Sequence, residues 1–150
     1  MELTTPSLSL DSPGAFLIRR FRDFHENPTS GSQSRLEEIY TQDIEVVTPV
    51  QRLTGSLALK KYLKLRNIKL QEPRLRFLDA LVGEHCAWLS WELELAPTRG
   101  STAPRIRGMT HVKFTTRIYY QEDCYDLTPL LEDLPLLGPL LRARKRRLGL

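Results

Sequence analysis

The chain has 150 residues, 41% of them hydrophobic, a size at which a domain buries roughly two thirds of its extended-chain surface. No run of about 18 apolar residues exists to span a bilayer, and residues 1–6 lack the basic and apolar regions of a secretory signal, so a soluble cytoplasmic protein is expected. The formal charge of +4 comes from the tail: without Arg142, Arg144, Lys145, Arg146 and Arg147, 17 of the 22 basic residues remain against 18 acidic ones, a net of −1, which excludes a basic nucleic-acid-binding body.

Residues 1–12 are rich in Ser, Thr and Leu without periodicity and are expected as a loose arm before a single domain over 13–150. Ser12 and Pro13 supply an N-cap and a first-turn proline. Leu17, Phe21 and Phe24, with Ile18 and His25 beside them, recur at the helical period, predicting a first helix that ends by Asn27-Pro28. Ser34-Arg35-Leu36-Glu37 is a capping box that starts a short second helix carrying Leu36, Ile39 and Tyr40 inward. Asp43 to Thr48 is β-rich and stops at Pro49, and Arg52-Leu53-Thr54 returns beside it as an edge hairpin. Ser56 caps a third helix to about Asn67, with Leu59, Tyr62 and Leu63 inward.

From Arg74 the period becomes two, with Leu75, Phe77 and Leu81 alternating against Arg76, Leu78, Ala80 and Val82. After a turn at Gly83-Glu84, Cys86 to Leu95 forms a second long strand with Leu89, Trp91, Leu93 and Leu95 on one face. Cys86 and Cys124 lack metal-like spacing and read as reduced thiols, so neither a metal nor redox chemistry is expected. Arg105 to Asp126 reads as two strands about a tight turn at Thr115-Thr116, with Ile106, Thr110, Val112 and Phe114 alternating against Arg107, Met109, His111 and Lys113. Helices followed by antiparallel strands predict an α+β fold with helices packed on one face of a curved sheet.

His111, Asp123, Tyr125 and Asp126 gather on this last strand pair, where facing side chains meet. A three-residue turn over Thr115-Thr116-Arg117 puts His111 and Asp123 on one side of the sheet. A two-residue turn instead pairs Thr110 with Asp123 and leaves His111 on the other side, opposite Glu122; the spacing permits both. Asp126 precedes Leu127-Thr128-Pro129 and reads as a helix-start residue. Tyr62 and Trp91 are candidates to line a cavity, whereas His25 and His85 carry no functional signal. Leu140 to Leu148 forms a basic amphipathic piece in which Leu137, Leu140, Leu141 and Leu148 seat on the body. Its cations Arg142 to Arg147 alternatively offer a weak contact with anionic membrane. No base-reading module is present, so no specific nucleic-acid partner is expected.

The first helix, Ile39-Tyr40 leading to Asp43-Ile44, Thr48-Pro49, Gly55 with Ala58-Leu59 and Tyr62, Leu89-Ser90-Trp91, Asp123-Cys124-Tyr125-Asp126 and Leu134-Pro135-Leu136-Leu137-Gly138 follow one another in an order that resembles the nuclear transport factor 2-like superfamily. Within it, the chain is most similar to bacterial SnoaL-like proteins. The resemblance implies a cone of helices and mainly antiparallel sheet around an apolar pocket, and a homodimer through the outer sheet surface. Phe21, Tyr62, Trp91, Tyr125, Thr48 and Thr110 are the expected lining residues.

It also argues against two activities. Thr48 stands where ketosteroid isomerase has its carboxylate base, Phe21 where it has an oxyanion-binding tyrosine, and Thr110 where it has a protonated aspartic acid. Asp123 resembles the final aspartate of limonene epoxide hydrolase, but Glu92 and Glu94 replace the Arg and Asp of its middle strand. A SnoaL-like arrangement remains, with Asp123 as proton acceptor, His111 as donor or tuning group, and no cofactor. A carboxylate in an apolar pocket has its pKa raised by desolvation, which suits it to proton transfer. The expectation is a pocket protein that binds a small hydrophobic molecule. The alternatives are a cyclase, isomerase or hydrolase using Asp123, and a dimeric interaction module with a basic tail.

Overall fold

The computed structural model describes residues 12–28, 32–97, 103–132 and 137–148; the expected amino-terminal arm over 1–11 lies outside them. Helix α1 (Pro13–Glu26) starts as the sequence predicts, the Ser12 side chain accepting the Ala15 N–H at 3.1 Å. Its apolar stripe, Leu17, Ile18, Phe21 and Phe24, is buried in the core, each side chain contributing about 1.5–3 kcal/mol by leaving water. Helix α2 (Ser32–Ile39) begins two residues before the capping box, so Ser34 lies inside the helix. Arg20 pairs with Glu38 and Arg35 with Asp23 across α1 and α2.

Strand β1 (Tyr40–Val47) starts three residues earlier than its β-rich run, because Tyr40 pairs with Ile118 and is buried there. Strand β2 (Arg52–Thr54) returns beside it. Helix α3 (Ser56–Lys69) is capped by Gly55, not by the predicted Ser56. Gly55 has φ 93°, a backbone state that glycine adopts without a Cβ penalty. Strands β3 (Arg74–Val82), β4 (Cys86–Glu94), β5 (Arg105–Phe114) and β6 (Ile118–Tyr125) follow, then α4 (Thr128–Glu132) and α5 (Leu137–Leu148). The sheet order is β2-β1-β6-β5-β4-β3, antiparallel except for the parallel β1–β6 pair. This is the expected α+β architecture, with Phe21 of α1 packed on Phe77 of β3 at a ring-centroid distance of 5.7 Å.

Two irregularities decide which side chains face inward. In β3 the register slips between Phe77 and Asp79, an extra residue that reverses the alternation. Leu75 and Phe77 therefore point inward, but beyond the bulge the inner residues are Ala80 and Val82, while Leu81 is 71% exposed, against the simple alternation. In β6 three residues turn between Phe114 and Ile118, yet a shift beyond that pair brings Lys113 opposite Tyr120. The extra residue, Tyr119, gives the register expected of a two-residue turn: Thr110 faces Asp123, and His111 faces Glu122.

Candidate functional site

Between α1, α3 and the concave sheet face lies a cavity of about 110 Å³, lined mainly by Phe21, Leu75, Phe77, Trp91, Leu93 and Ile106. Into this apolar wall β5 and β6 project Thr110, Gln121, Asp123 and Tyr125, which alternate on the inner face. The Asp123 carboxylate accepts Thr110 Oγ1–H at 2.7 Å through Oδ1, and Gln121 Nε2–H at 3.1 Å through both oxygens. Behind Thr110, Trp91 Nε1–H donates to the Thr110 hydroxyl at 2.9 Å. Behind Gln121, Tyr40 O–H donates to Gln121 Oε1 at 2.8 Å, and His25 Nε2 lies 2.7 Å from the Tyr40 oxygen. With the Tyr40 proton committed to Gln121, His25 must be the Nε2–H donor. Two donor chains thus converge on Asp123, and Oδ2 is left with only the weaker, shared bond.

The electrostatics follow from enclosure. Desolvation pushes the Asp123 carboxyl above its ordinary value, opposed by the Thr110 and Gln121 hydrogen bonds and by the charge of Arg66. Burial, reinforced by Arg66, holds His25 down at about 3, so its imidazole is neutral at physiological pH. Tyr40 is raised by burial and by Asp123, and stays a neutral donor. Burial also pushes Tyr125 up to about 12, and raises Tyr62. These two phenols influence each other across the cavity, and Tyr62 also feels Arg66, which lies one turn further along α3. The arrangement presents one carboxylate able to take a proton, beside phenolic O–H groups able to donate to an oxygen of a bound molecule.

Of the predicted lining residues, Phe21, Tyr62, Trp91, Thr110 and Tyr125 border the cavity with Asp123. Thr48 does not; its hydroxyl donates to the Gln51 carbonyl and accepts the Val50 and Gln51 N–H groups, closing the β1–β2 turn. His111 is not brought together with Asp123. It lies on the convex face, stacked on Trp88 at 4.1 Å with a 7° interplanar angle, because the Tyr119 bulge puts it on the opposite side of the sheet. Glu92 is also on that face, its carboxylate 3.1 Å from Arg107 and 3.6 Å from Arg76 and Arg105. Asp126 accepts the Thr128 N–H at 2.8 Å and starts α4.

His25, Tyr40, Gln121 and Arg66 are site residues that the sequence did not announce. His25 alone left a trace, as a polar residue on the apolar stripe of α1. Among the described residues no group of three His, Cys, Asp or Glu side chains is arranged to hold a metal ion, and no helix is long and apolar enough to cross a membrane. In α5 the Arg142, Arg144, Arg146 and Arg147 side chains are exposed, whereas those of Leu137, Leu140, Leu141 and Leu148, on which the packed-tail expectation rests, lie outside the described residues.

No family model matches the chain, and no curated protein matches it in sequence. Solved structures do match in shape. A protein assigned as a SnoaL-like polyketide cyclase from Jannaschia sp. CCS1 superposes with a TM-score of 0.70 at 11% identity, over 92% of this chain and 98% of that one. TerC, co-crystallised with polyporic acid, gives 0.67 at 16% identity over 79% and 95% of the two chains. An NTF2-like protein of unknown function from Mesorhizobium loti gives 0.62 at 18% identity over 79% and 94%. The curled sheet with its inner helices is therefore the nuclear transport factor 2-like fold, in the form shared with SnoaL-like proteins.

Proposed function

We propose that this protein binds a small hydrophobic molecule in the cavity and that Asp123 acts on it as a proton acceptor, removing a proton from carbon next to a carbonyl. The observation that supports this reading is the placement of Asp123: an acid raised by desolvation, oriented by Thr110 and Gln121, with Oδ2 the less engaged oxygen. A group so placed is held as an acceptor and is more basic than a solvated carboxylate, which suits it to receive a proton. Tyr62 and Tyr125 are the candidate donors to the oxygen that gains charge. His111 has no part in this step. The experiment is deuterium exchange: cyclic ketones and 1,3-diketones found by NMR to bind are incubated in D2O with wild type and Asp123→Asn. Loss of the α-proton signal with wild type alone is expected. Equal exchange rates would leave ligand binding without catalysis.

Self-association is the second component of the proposal. Leu81, Trp88 and Met109 are exposed on the convex face at 71%, 44% and 46%, beside the Trp88–His111 stack. Such a cluster of large apolar groups is suited to contact with a second copy of the chain. Ionic groups, Arg76, Glu92, Arg105 and Arg107, lie along the same face and would set the register of the two copies.

A further inference from the structure

Arg66 sits where two hollows meet. It lines the central cavity with Asp123, and also a cleft of about 360 Å³ between α1, α2 and α3 whose wall includes Phe24, Leu36 and Leu63 and whose basic members are Lys60 and Lys64. His25 is the other residue common to both, so the cleft continues the cavity outward past His25 and Arg66. Asp123 and Tyr125 occupy the inner end; the cations occupy the outer one.

Three observations bear on Arg66. Its Nε–H is buried and has no hydrogen-bond partner. It forms no ion pair with any described carboxylate, although Glu38, Asp23, Glu45, Glu92 and Glu94 each take an arginine elsewhere. The hydroxyl nearest to it in the cavity wall, that of Tyr62, is neutral. Asp123 feels its charge, but is bound by Thr110 and Gln121 and is not in ion-pair contact with it. A guanidinium enclosed in this way, with an arm of its planar donor fork unused, has the shape and charge to take a carboxylate by two parallel hydrogen bonds.

We propose that the molecule bound here is a carboxylate, its apolar ring system filling the cavity and its anionic group held by Arg66 at the junction with the basic cleft. A neutral ligand of the same shape satisfies the apolar wall but brings neither a negative charge nor a second acceptor oxygen to the guanidinium fork, and the site discriminates against it for that reason. Lys60 and Lys64 favour entry of an anion through the cleft. Arg66 then acts as a specificity-determining residue, and Asp123 meets the part of the ligand remote from the charge. This inference rests on the pocket reading above and adds the ligand's class to it.

The test uses two probes of nearly equal shape, 2-naphthoate and its neutral methyl ketone 2-acetonaphthone, titrated by calorimetry into the whole protein. Wild type is expected to bind the naphthoate about tenfold or more tighter, the range of a charge-assisted hydrogen bond. Arg66→Met should bring the two probes to parity without weakening the ketone. Arg66→Lys should keep part of the preference, since the charge remains and the fork does not. Equal affinities in wild type, or a loss of both probes alike in Arg66→Met, overturns the carboxylate assignment and leaves the pocket standing. Binding of neither probe by wild type overturns both. The wild-type comparison needs no variant, so it decides the matter even if a substituted protein fails to fold.

Discussion

Replacing Asp123 by Asn removes one charge from an enclosed site and changes no more than one atom's identity, so the surrounding hydrogen-bond network sets the energetic outcome. The new amide keeps an oxygen for Thr110, but its NH2 group then faces the Nε2–H2 of Gln121, which in wild type donates to both carboxylate oxygens at 3.1 Å. Two donors pointed at each other would cost about 1–3 kcal/mol. Gln121 can turn over, however. Its Oε1 then accepts from the introduced amide, its Nε2–H donates to the Tyr40 oxygen, and the Tyr40 proton swings to His25 Nε2, which accepts once the neutral imidazole, held at about 3, carries its proton on Nδ1 instead of Nε2. Reversal preserves every bond in the chain. The charge-assisted part of each bond to the carboxylate is lost, and relief from desolvation is gained. The expected net change at pH 7 lies within about 1 kcal/mol of wild type.

The pH dependence sharpens the test. The folded-state pKa of Asp123 is raised, so its contribution to stability is fully present below the unfolded value and is lost as pH rises through the folded one, by about 1.4 kcal/mol for each pH unit that separates the two values. The amide of the variant does not titrate. The stability of Asp123→Asn relative to wild type should therefore rise from pH 4 toward neutrality, while the titration of His25, common to both proteins, cancels in the difference. Urea denaturation of the two proteins between about pH 4 and pH 8 measures this directly. A deficit above about 2 kcal/mol at pH 7 that does not vary with pH would make Asp123 a structural acceptor and refute the reasoning.

Further outcomes are expected. His25 is lowered from 6.5 to about 3, so wild type should lose up to about 1.4 kcal/mol of stability per pH unit on acidification below the unfolded value; His25→Gln, which retains a donor for Tyr40, should flatten that slope in acid denaturation. A Cβ at Gly108 would lie 2.3 Å from Trp91 Cζ2 and 2.5 Å from its Cη2, so Gly108→Ala should cost about 1–3 kcal/mol by overpacking. It should also change Trp91 fluorescence as the indole is pushed away from Thr110. Trp88→Asp should shift wild type from dimer to monomer in sedimentation velocity with the melting temperature of the subunit unchanged. A wild type that sediments as a monomer would remove the convex face as an interface.

The architecture was legible because helices and strands impose different periods, and the apolar residues of α1, β4 and β5 keep theirs without interruption. Asp123 was legible as a site residue from its strand and its motif. Its neighbours were not. Tyr40 joins the hydrogen-bond chain behind Gln121 from a strand paired in parallel with β6, 81 residues away from Gln121 in the chain, and no local pattern encodes such a meeting. Arg66 reads as one more cation on a helix with a weak apolar face, and its enclosure exists only once α1 and the sheet are in place. The pairing of His111 with Asp123 depended on counting turn residues, and that count was defeated by a residue outside the turn. In β3 the same kind of insertion exchanged the places of Leu81 and Val82.

The Tyr119 bulge has a consequence for how this chain can vary. On either side of it, odd and even positions exchange meanings: Ile118 is inner and Tyr119 and Tyr120 are both turned out, before Gln121 resumes the inner row. Deleting that one residue would leave plain alternation, Tyr120 following Ile118 directly opposite Lys113, with Gln121, Asp123 and Tyr125 still on the inner row; a deletion at Glu122, beyond the bulge, would instead make Gln121 and Asp123 neighbours and turn Asp123 and Tyr125 outward. Substitution at 119 is cheap, because the side chain is 42% exposed, and removal only straightens the ladder. A deep mutational scan should therefore find position 119 permissive both to nearly every amino acid and to a one-residue gap, and position 122 far more tolerant of substitution than of a gap.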